Sequence, residues 1–334
     1  MSGCPGFGHL LVLPHLRVQN ANASSSPLTH GFPSMTALLG LMWALQRKAR
    51  SAGMDVHLKA VGAVCHAHQE QATRGSFVSA FHLSRNPVDK NGRSAAIVEE
   101  GRIHLQLSLV LAADSSQWRK QPDARARDLA TLAELLAGMR IAGGSVIPLA
   151  QPWRRRYQPW ALDLTGTAED RSAAFRKARM RLLPGFALVS RDDRLEQRLQ
   201  ELQQRTPDAN RLDAWLSLAS INWQWSGDQN DGKGGWHSDR RGAGWTVPIP
   251  VGYGALGELH HPGSVANTRD ASAPFRFVES LYSVGEWISP HRLRTPEQLL
   301  WYADSQPRQG LYRCRNDYAS PAEEDALDFA SDYS

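Results

Sequence analysis

The most regular feature of the sequence is an alternation of apolar and polar residues over residues 103–111. Every odd position from Ile103 to Leu111 is isoleucine or leucine, and three of the four even positions between them are polar. A period of two predicts a β-strand with one buried face. Further strands are predicted over residues 9–22, 56–66, 145–147, 186–190 and 244–253. Pro248 and Pro250 favour a sheet-edge position for the strand over residues 244–253.

Apolar residues spaced by three and four positions predict helices between these strands. The first covers residues 37–50 and can be capped by Ser34 or Thr36. Further helices are predicted over residues 123–138, 171–183, 192–204 and 210–221.

The order of these elements predicts the fold class. Strand, helix, strand, hairpin, strand, helix, glycine-rich loop and strand follow one another, which indicates an α+β protein. This order is compatible with a ferredoxin-like (RNA-recognition-motif) core that carries insertions. We predict a single domain over residues 1–314, with a basic helical insertion at about residues 150–183. Residues 227–243 are rich in glycine and poor in apolar side chains, which predicts a mobile loop.

Composition and charge narrow the possible functions. Of the 334 residues 42% are hydrophobic, enough to bury a core, which excludes a disordered protein. The net charge is +5, but residues 315–334 carry six acidic residues and one arginine, so residues 1–314 carry +10. A basic body indicates a polyanionic partner. We expect the acidic tail, residues 315–334, either to be disordered or to cover a basic surface and compete with nucleic acid.

Several classes of protein lack support in the sequence. No apolar run approaches the ~18 residues of a membrane-spanning helix, and the first residues do not resemble a secretory signal, so we expect a cytoplasmic protein with no membrane partner. Cys4, Cys65 and Cys314 lie far apart and form no CxxC pair, which argues against a disulfide and against a zinc site. The GxGxxG sequence at 252–257 is followed by Pro-Gly at 262–263 instead of a helix, so it predicts a turn. We expect no catalytic residue, no metal and no cofactor.

Two basic segments suit nucleic acid better than any enzyme motif. Residues 153–157 read Trp-Arg-Arg-Arg-Tyr, and Arg176 and Arg179 would form a positive stripe on a predicted helix; the net charge over residues 154–181 is +5. Arginine binds phosphates with paired hydrogen bonds, and aromatic rings stack on unpaired bases. A solvated helix face with ordinary salt bridges explains the charge equally well.

The glycine-rich segment 139–145 is the other candidate. Gly143 and Gly144 would let the backbone approach a phosphate closely. The alternative is a helix C-cap with Gly143 in the left-handed conformation, and both can hold at once.

Long blocks of the sequence resemble one protein family. They are LPHLRVQNANA (13–23), SPLT (26–29), GFPS (31–34), RNP (85–87), AAIVEEGR (95–102), MRIAGGS (139–145), RLLPGFALVSR (181–191), FRFVE (275–279), GEW (285–287), SPHR (289–292) and GLYR (310–313). In collinear order over roughly residues 10–313, they resemble the second Csy subunit of the type I-F CRISPR surveillance complex (Cascade), a family-five Cas protein of the RAMP superfamily. The loop 227–243 and the acidic tail lie outside these blocks.

The resemblance implies a ferredoxin-like RAMP fold with a thumb β-hairpin at about residues 67–101 and a non-catalytic role in antiviral defence. It implies binding of the 5′ handle of the CRISPR RNA, pairing with the large Csy subunit at the tail of the complex, and contact with the first backbone Csy subunit. Target DNA would be captured by the assembled complex, and RNA processing would belong to a separate endoribonuclease. The predicted RNA-binding residues are Arg17, Asn20, Asn22, Arg85, Asn86, Arg93, Arg140, Gly143, Gly144, Arg154, Arg155, Arg176, Arg179, Arg276 and Arg292.

Two other functions remain as alternatives. A RAMP endoribonuclease that processes repeat RNA would use a histidine near the glycine-rich loop as a general acid or base. No histidine is close in sequence to residues 143–145, and the alternation alone does not tell which way His104 faces. The second alternative is a scaffolding subunit that never contacts RNA.

Overall fold

A large antiparallel sheet dominates the fold. The computed structural model describes residues 3–76, 78–85, 88, 91–94, 97–118, 121–226, 234–239 and 244–318, without the side chains of residues 84, 85, 122 and 226. Its strands are β1 (His9–Asn22), β2 (Ser24–Ser26), β3 (Thr29–His30), β4 (His57–Glu70), β5 (Ala72–Arg74), β6 (Ser79–Phe81), β7 (Leu83–Arg85), β8 (Ile97–Glu99), β9 (Arg102–Asp114), β10 (Arg140–Ile141), β11 (Gly144–Ile147), β12 (Trp160–Asp163), β13 (Phe186–Ser190), β14 (Trp223–Ser226), β15 (Gly235–Ser238), β16 (Thr246–Ala255), β17 (Val278–Ile288), β18 (Trp301–Ala303) and β19 (Leu311–Asn316).

Helices are fewer than strands. The α-helices are α1 (Met35–Ser51), α2 (Pro122–Ala137), α3 (Ala168–Ala178), α4 (Asp192–Gln203) and α5 (Arg211–Ala219). Short 3-10 turns occur at Arg155–Tyr157, Arg179–Leu182, Pro290–Arg292, Glu297–Leu299 and Pro307–Gln309. The prediction of an α+β protein is confirmed. No helix in the described ranges is long and apolar enough to cross a membrane.

The first half of the chain builds a four-stranded core. Its strands lie in the order β11-β1-β9-β4, and each neighbouring pair is antiparallel. Helix α1 connects β1 to β4, and α2 connects β9 to β11, so that two strand–helix–strand units interleave. The Ser34 hydroxyl accepts the Ala37 N–H and caps α1, as predicted.

Successive residues of β1 pack in two separate apolar clusters, one on each face of the sheet. Leu11 and Leu13 pack in the cluster that includes α1 and α2, whereas Leu10 and Val12 pack on the other face with Phe175 of α3. The sheet is therefore buried on both faces near the start of β1. Helix α3 begins after the Thr167 capping box, three residues earlier than the sequence pattern predicted.

The second half of the sheet curls back onto β4. It continues from β4 through β13, β17, β16, β19 and β18, and Trp301 of β18 pairs with Val61 of β4. The edge-strand prediction for β16 holds only for its proline-containing part. Residues 246–250 pair with β17 alone, while residues 252–254 also pair with β19 and are corrected to a central position.

Two predicted boundaries differ from the structure. Arg315 and Asn316 belong to β19, and Asn316 is buried, so the acidic tail begins later than residue 315. Its residues 319–334 lie outside the described residues. Within the predicted mobile loop 227–243, residues 235–238 form a strand that pairs with β14. Between β4 and β9, where the thumb was predicted, two small strand pairs occur, β5–β6 and β7–β8.

Candidate nucleic-acid interface

One face of the core sheet carries polar and basic side chains beyond the region covered by α3. Val18, Leu105 and Ile141 are buried in the cluster under α1 and α2. Their neighbours along each strand therefore lie on the opposite face. We call this surface the open face; its residues are Arg17, Gln19, His104, Gln106, Arg140 and Ser145. Four of them are exposed, and His104 and Gln106 are half-buried.

Strand pairing places two predicted arginines close together on the open face. Arg17 pairs with Gln106 on β9 and with Ile147 on β11, while Ser145 pairs with both Gln19 and Arg140. Strand spacing puts the Cα atoms of Arg17 and Arg140 about 12 Å apart. Two flexible guanidinium groups at this separation can bind neighbouring phosphates of one strand.

Asn20 is held rigidly at the edge of this face. Its backbone is left-handed, with φ of 56°, and its N–H donates to Nδ1 of His104 at 3.2 Å. Its Oδ1 accepts a hydrogen bond from Gln71 Nε2 at 2.6 Å. Within the described part of the chain nothing bonds its Nδ2, so this amide can donate to a base acceptor. Gln71 was not among the predicted residues, because its position depends on the bulge that turns Asn20.

The glycine-rich segment is a β-hairpin, which corrects the helix C-cap alternative. Helix α2 ends at Ala137, and Ala142 and Gly143 form the turn between β10 and β11 with φ of 46° and 80°. Gly143 is left-handed, as that alternative also required. A Cβ on Gly144 would lie 2.6 Å from the Ala21 amide nitrogen, so glycine is required there by close packing. Since the Asn22 N–H donates to the Ala142 carbonyl at 2.8 Å, the hairpin is fixed beside residues 20–22.

The Asn22 side chain forms hydrogen bonds with the backbone of Ser24 and also lines a groove. Its amide donates to the Ser24 carbonyl and accepts the Ser24 N–H, so both side-chain atoms are engaged. It lines an open groove of about 770 Å³ together with Gly143, Tyr253 and Tyr312. The two tyrosine rings stack with their centroids 6.2 Å apart.

The basic loop 153–157 packs beside the open face through a pair of histidines. The Tyr157 ring meets the edge of His15 at 5.3 Å, and Arg156 lies over Tyr157 at 4.8 Å. His15, two residues before Arg17, stacks on His66 at 4.0 Å. Arg154 and Arg155 are exposed in the same loop. This loop therefore extends the positive charge of the open face.

The histidine pair is neutral and tightly bonded. Ser108 Oγ accepts the backbone N–H of His15 at 3.0 Å and donates to Nε2 of His66 at 2.6 Å, while Nδ1 of His66 donates to the Pro184 carbonyl. Burial lowers the pKa of His15 to about 4, with further lowering by His66 and Arg156. Burial also lowers the pKa of His66. The one signal of this pair in the sequence is a histidine at position 15 inside an apolar strand.

Three other predicted residues meet in a second site. Arg176 and Arg179 line a groove of about 590 Å³ together with Arg292, and Arg294 and His291 complete its basic lining. We call it the arginine groove. Arg294 was missed because it follows the recognised SPHR block by two positions.

The remaining predicted residues are dispersed. Arg276 donates to the Pro307 carbonyl at 3.4 Å, so it stabilises the turn before β19. Arg85 ends β7 and Arg93 is exposed between β7 and β8, whereas Asn86 lies outside the described residues. Across the described ranges, no three His, Cys, Asp or Glu residues cluster as a metal site would require.

Comparisons with known proteins agree on one family. The family model described as CRISPR-associated protein (Cas_Csy2) matches residues 11–314. The CRISPR-associated protein Csy2 of Pseudomonas aeruginosa (strain UCBPP-PA14) is 44% identical over 312 residues, which cover 91% of this chain and 94% of that protein.

Proposed function

Since the chain belongs to the Csy2 family of CRISPR-associated proteins, and so is a subunit of a Csy complex, we propose that it binds the 5′ handle of the CRISPR RNA on its open face. The observation that carries the proposal is the position of Arg17 and Arg140, two exposed cations on one uncovered face of a sheet. Phosphate contacts position the strand, and unpaired bases supply identity. No chemical step is part of this role.

Each neighbouring feature has a place in this proposal. Asn20 Nδ2 donates to a base edge, and one unstacked base enters the groove lined by Tyr253 and Tyr312. Arg154 and Arg155 bind phosphates that continue past the open face. In the predicted thumb, Arg85, Asn86 and Arg93 contact the junction between handle and spacer.

The strand order supports a ferredoxin-like RAMP core. Two interleaved strand–helix–strand units with the order fourth, first, third, second are expected for that fold, and β11-β1-β9-β4 matches this order. Both helices pack on one face, which leaves the other face for RNA. The small strand pairs between β4 and β9 correspond to the thumb in this interpretation.

An exposed aromatic patch suits a neighbouring subunit. Trp223, Trp225 and Trp236 on β14 and β15 are 61%, 59% and 64% exposed, and Leu216 of α5 lies exposed as well. Exposed apolar clusters of this kind mark protein interfaces, and tryptophan dominates their binding energy. We assign this patch to the large Csy subunit. Contact with the first backbone subunit and capture of target DNA then belong to the assembled complex.

A binding assay with the large Csy subunit present tests the proposal. Handle RNA should bind more tightly than a scrambled RNA of the same length, and affinity should fall steeply with salt. Arg17→Gln with Arg140→Gln should weaken handle binding about 30-fold and reduce the salt slope by roughly 1 to 2. The matched control is Arg47→Gln with Arg50→Gln, two exposed arginines of α1. Equal affinity for handle and scrambled RNA would contradict base recognition.

The endoribonuclease alternative has a separate test. Nδ1 of His104 accepts the Asn20 N–H, so this ring nitrogen already has a hydrogen-bond partner in the structure. We therefore expect repeat RNA incubated with the pure protein to stay intact. Specific cleavage by the parent chain that is lost in His104→Asn would overturn the non-catalytic role. If handle RNA forms no cross-links to residues 140–145, the result favours a scaffolding subunit that never contacts RNA.

A further inference from the structure

The arginine groove concentrates charge from two distant parts of the chain. Arg176 and Arg179 come from α3 and the turn that follows it, while Arg292 and Arg294 come from the segment after β17. Glu169 is the one carboxylate among the lining residues. A concave surface lined by one sign of charge focuses its field and attracts a counter-ion.

Arg179 keeps an unused donor among the described residues. Nε of Arg179 is buried and has no hydrogen-bond partner among the described residues. Burial lowers the pKa of Arg179, and the charge of Arg176 lowers it further. A buried guanidinium nitrogen without an acceptor carries a desolvation cost. An anionic group in the groove would be attracted by the charges of Arg176 and Arg179.

The described chain ends on the apolar cluster that also holds residues from both sides of the groove. Asp317 accepts the Cys4 N–H and the Tyr302 hydroxyl, each at 2.6 Å. Burial raises the pKa of the Cys4 thiol to about 12, and the adjacent carboxylates of Glu297 and Asp317 add to the rise. Glu297 in turn pairs with Arg171 of α3 at 2.7 Å. Tyr318, the last described residue, packs on the apolar cluster that contains Phe175 of α3 and Leu293, which adjoin the groove residues Arg176 and Arg292 in the chain.

The segment that follows Tyr318 has the complementary charge. Residues 319–334 contain five acidic residues and no lysine or arginine. They lie outside the described residues and outside the family match, which ends at 314. Sixteen residues in extended form can reach up to about 50 Å, so the groove is well within their range.

We propose that the arginine groove is the docking site for the chain's own acidic segment, residues 319–334. Carboxylates of that segment bind the guanidinium groups of Arg176, Arg179 and Arg292 by paired hydrogen bonds. The segment competes there with phosphates of nucleic acid. The docking does not depend on handle binding, so its test stands apart from the RNA assays.

The test measures access to the segment in the full-length chain. Chymotrypsin cleaves after Phe329, and intact mass spectrometry follows loss of the end fragment. Arg176→Gln with Arg292→Gln should speed this cleavage about fivefold at low salt, the factor expected when two exposed ion pairs are lost. The difference should vanish at about 500 mM salt, where such pairs are screened. Both arginines are exposed, so the variant should keep the melting temperature of the parent chain.

Control variants make the outcome decisive. Arg47→Gln with Arg50→Gln removes the same charge from α1 and should leave the cleavage rate unchanged. A charge-reversed pair, Arg176→Glu with Arg292→Glu, should regain slow cleavage when combined with Glu323→Lys and Asp328→Lys. Equal cleavage of parent and groove variant, or equal acceleration by the α1 control, overturns the proposal. Unchanged cleavage with weakened binding of nucleic acid would assign the groove to phosphates instead.

Discussion

Acid should destabilise this protein through His15. Its side chain is 4% exposed, stacks on His66 and lies near the charge of Arg156. Burial is the main reason that its folded pKa is about 4, below the value of 6.5 for an unfolded chain. The unfolded chain therefore takes up the proton first as the pH falls. Stability is complete above pH 6.5 and declines until about pH 4.

The size of this effect follows from the two pKa values. In full it is about 3 kcal/mol, and between pH 7.5 and 5 it is about 2 kcal/mol, since protonation of the unfolded chain is nearly complete at pH 5. Urea unfolding at these two pH values measures the loss. His15→Asn is a suitable variant because asparagine tolerates the positive φ of 53° at this position.

The comparison between variants isolates His15. The parent chain should lose about 2 kcal/mol more than His15→Asn on going from pH 7.5 to 5. His68→Asn removes an exposed histidine from β4 and should lose as much as the parent. If the parent and His15→Asn lose equal stability, His15 is not held neutral by the fold, and the reasoning from its burial fails.

Further substitutions test the packing and the buried charges. In a urea titration, Gly144→Ala should destabilise the fold by about 3 kcal/mol, because the new Cβ would meet the Ala21 backbone. Gly143→Ala should cost only about 1 kcal/mol, because its Cβ would meet no atom within 4 Å and only the φ of 80° is unfavourable. Equal losses would contradict the close approach. Glu286→Gln should cost about 2 to 3 kcal/mol, because it removes the charge of a buried carboxylate that pairs with Arg191 and Arg194, although Asp193 still pairs with Arg191. Glu201→Gln, which breaks an ion pair with Arg198 at the surface, should cost less than about 1 kcal/mol by thermal melting, and similar costs for the two would refute the role of burial.

Local patterns predicted strand bounds well where an apolar run is bordered by polar or turn residues. The bounds of β1 and β13 agree with the predicted 9–22 and 186–190, because such a border depends on neighbours in sequence. The left-handed residue in 139–145 was also predictable, since glycine favours it. Its hairpin was not, because that depends on where α2 ends.

Sites assembled from distant segments could not be read from the chain. Arg176 and Arg292 are separated by more than a hundred positions, and no local rule joins them. The His15–His66 stack depends on a bulge in β1 between Leu13 and Leu16. The start of the acidic tail was misjudged because charge counts ignore that Asn316 donates to two carbonyls in the core.

The pairing of Trp301 with Val61 has a consequence for how the protein is made. These residues lie 240 positions apart, so β4 cannot complete its contacts until the ribosome has delivered nearly the whole chain. Pairings of such long range are slow to form and expose unpaired strands in the meantime. A product that stops before β18 would leave part of the edge of β4 open and prone to aggregate.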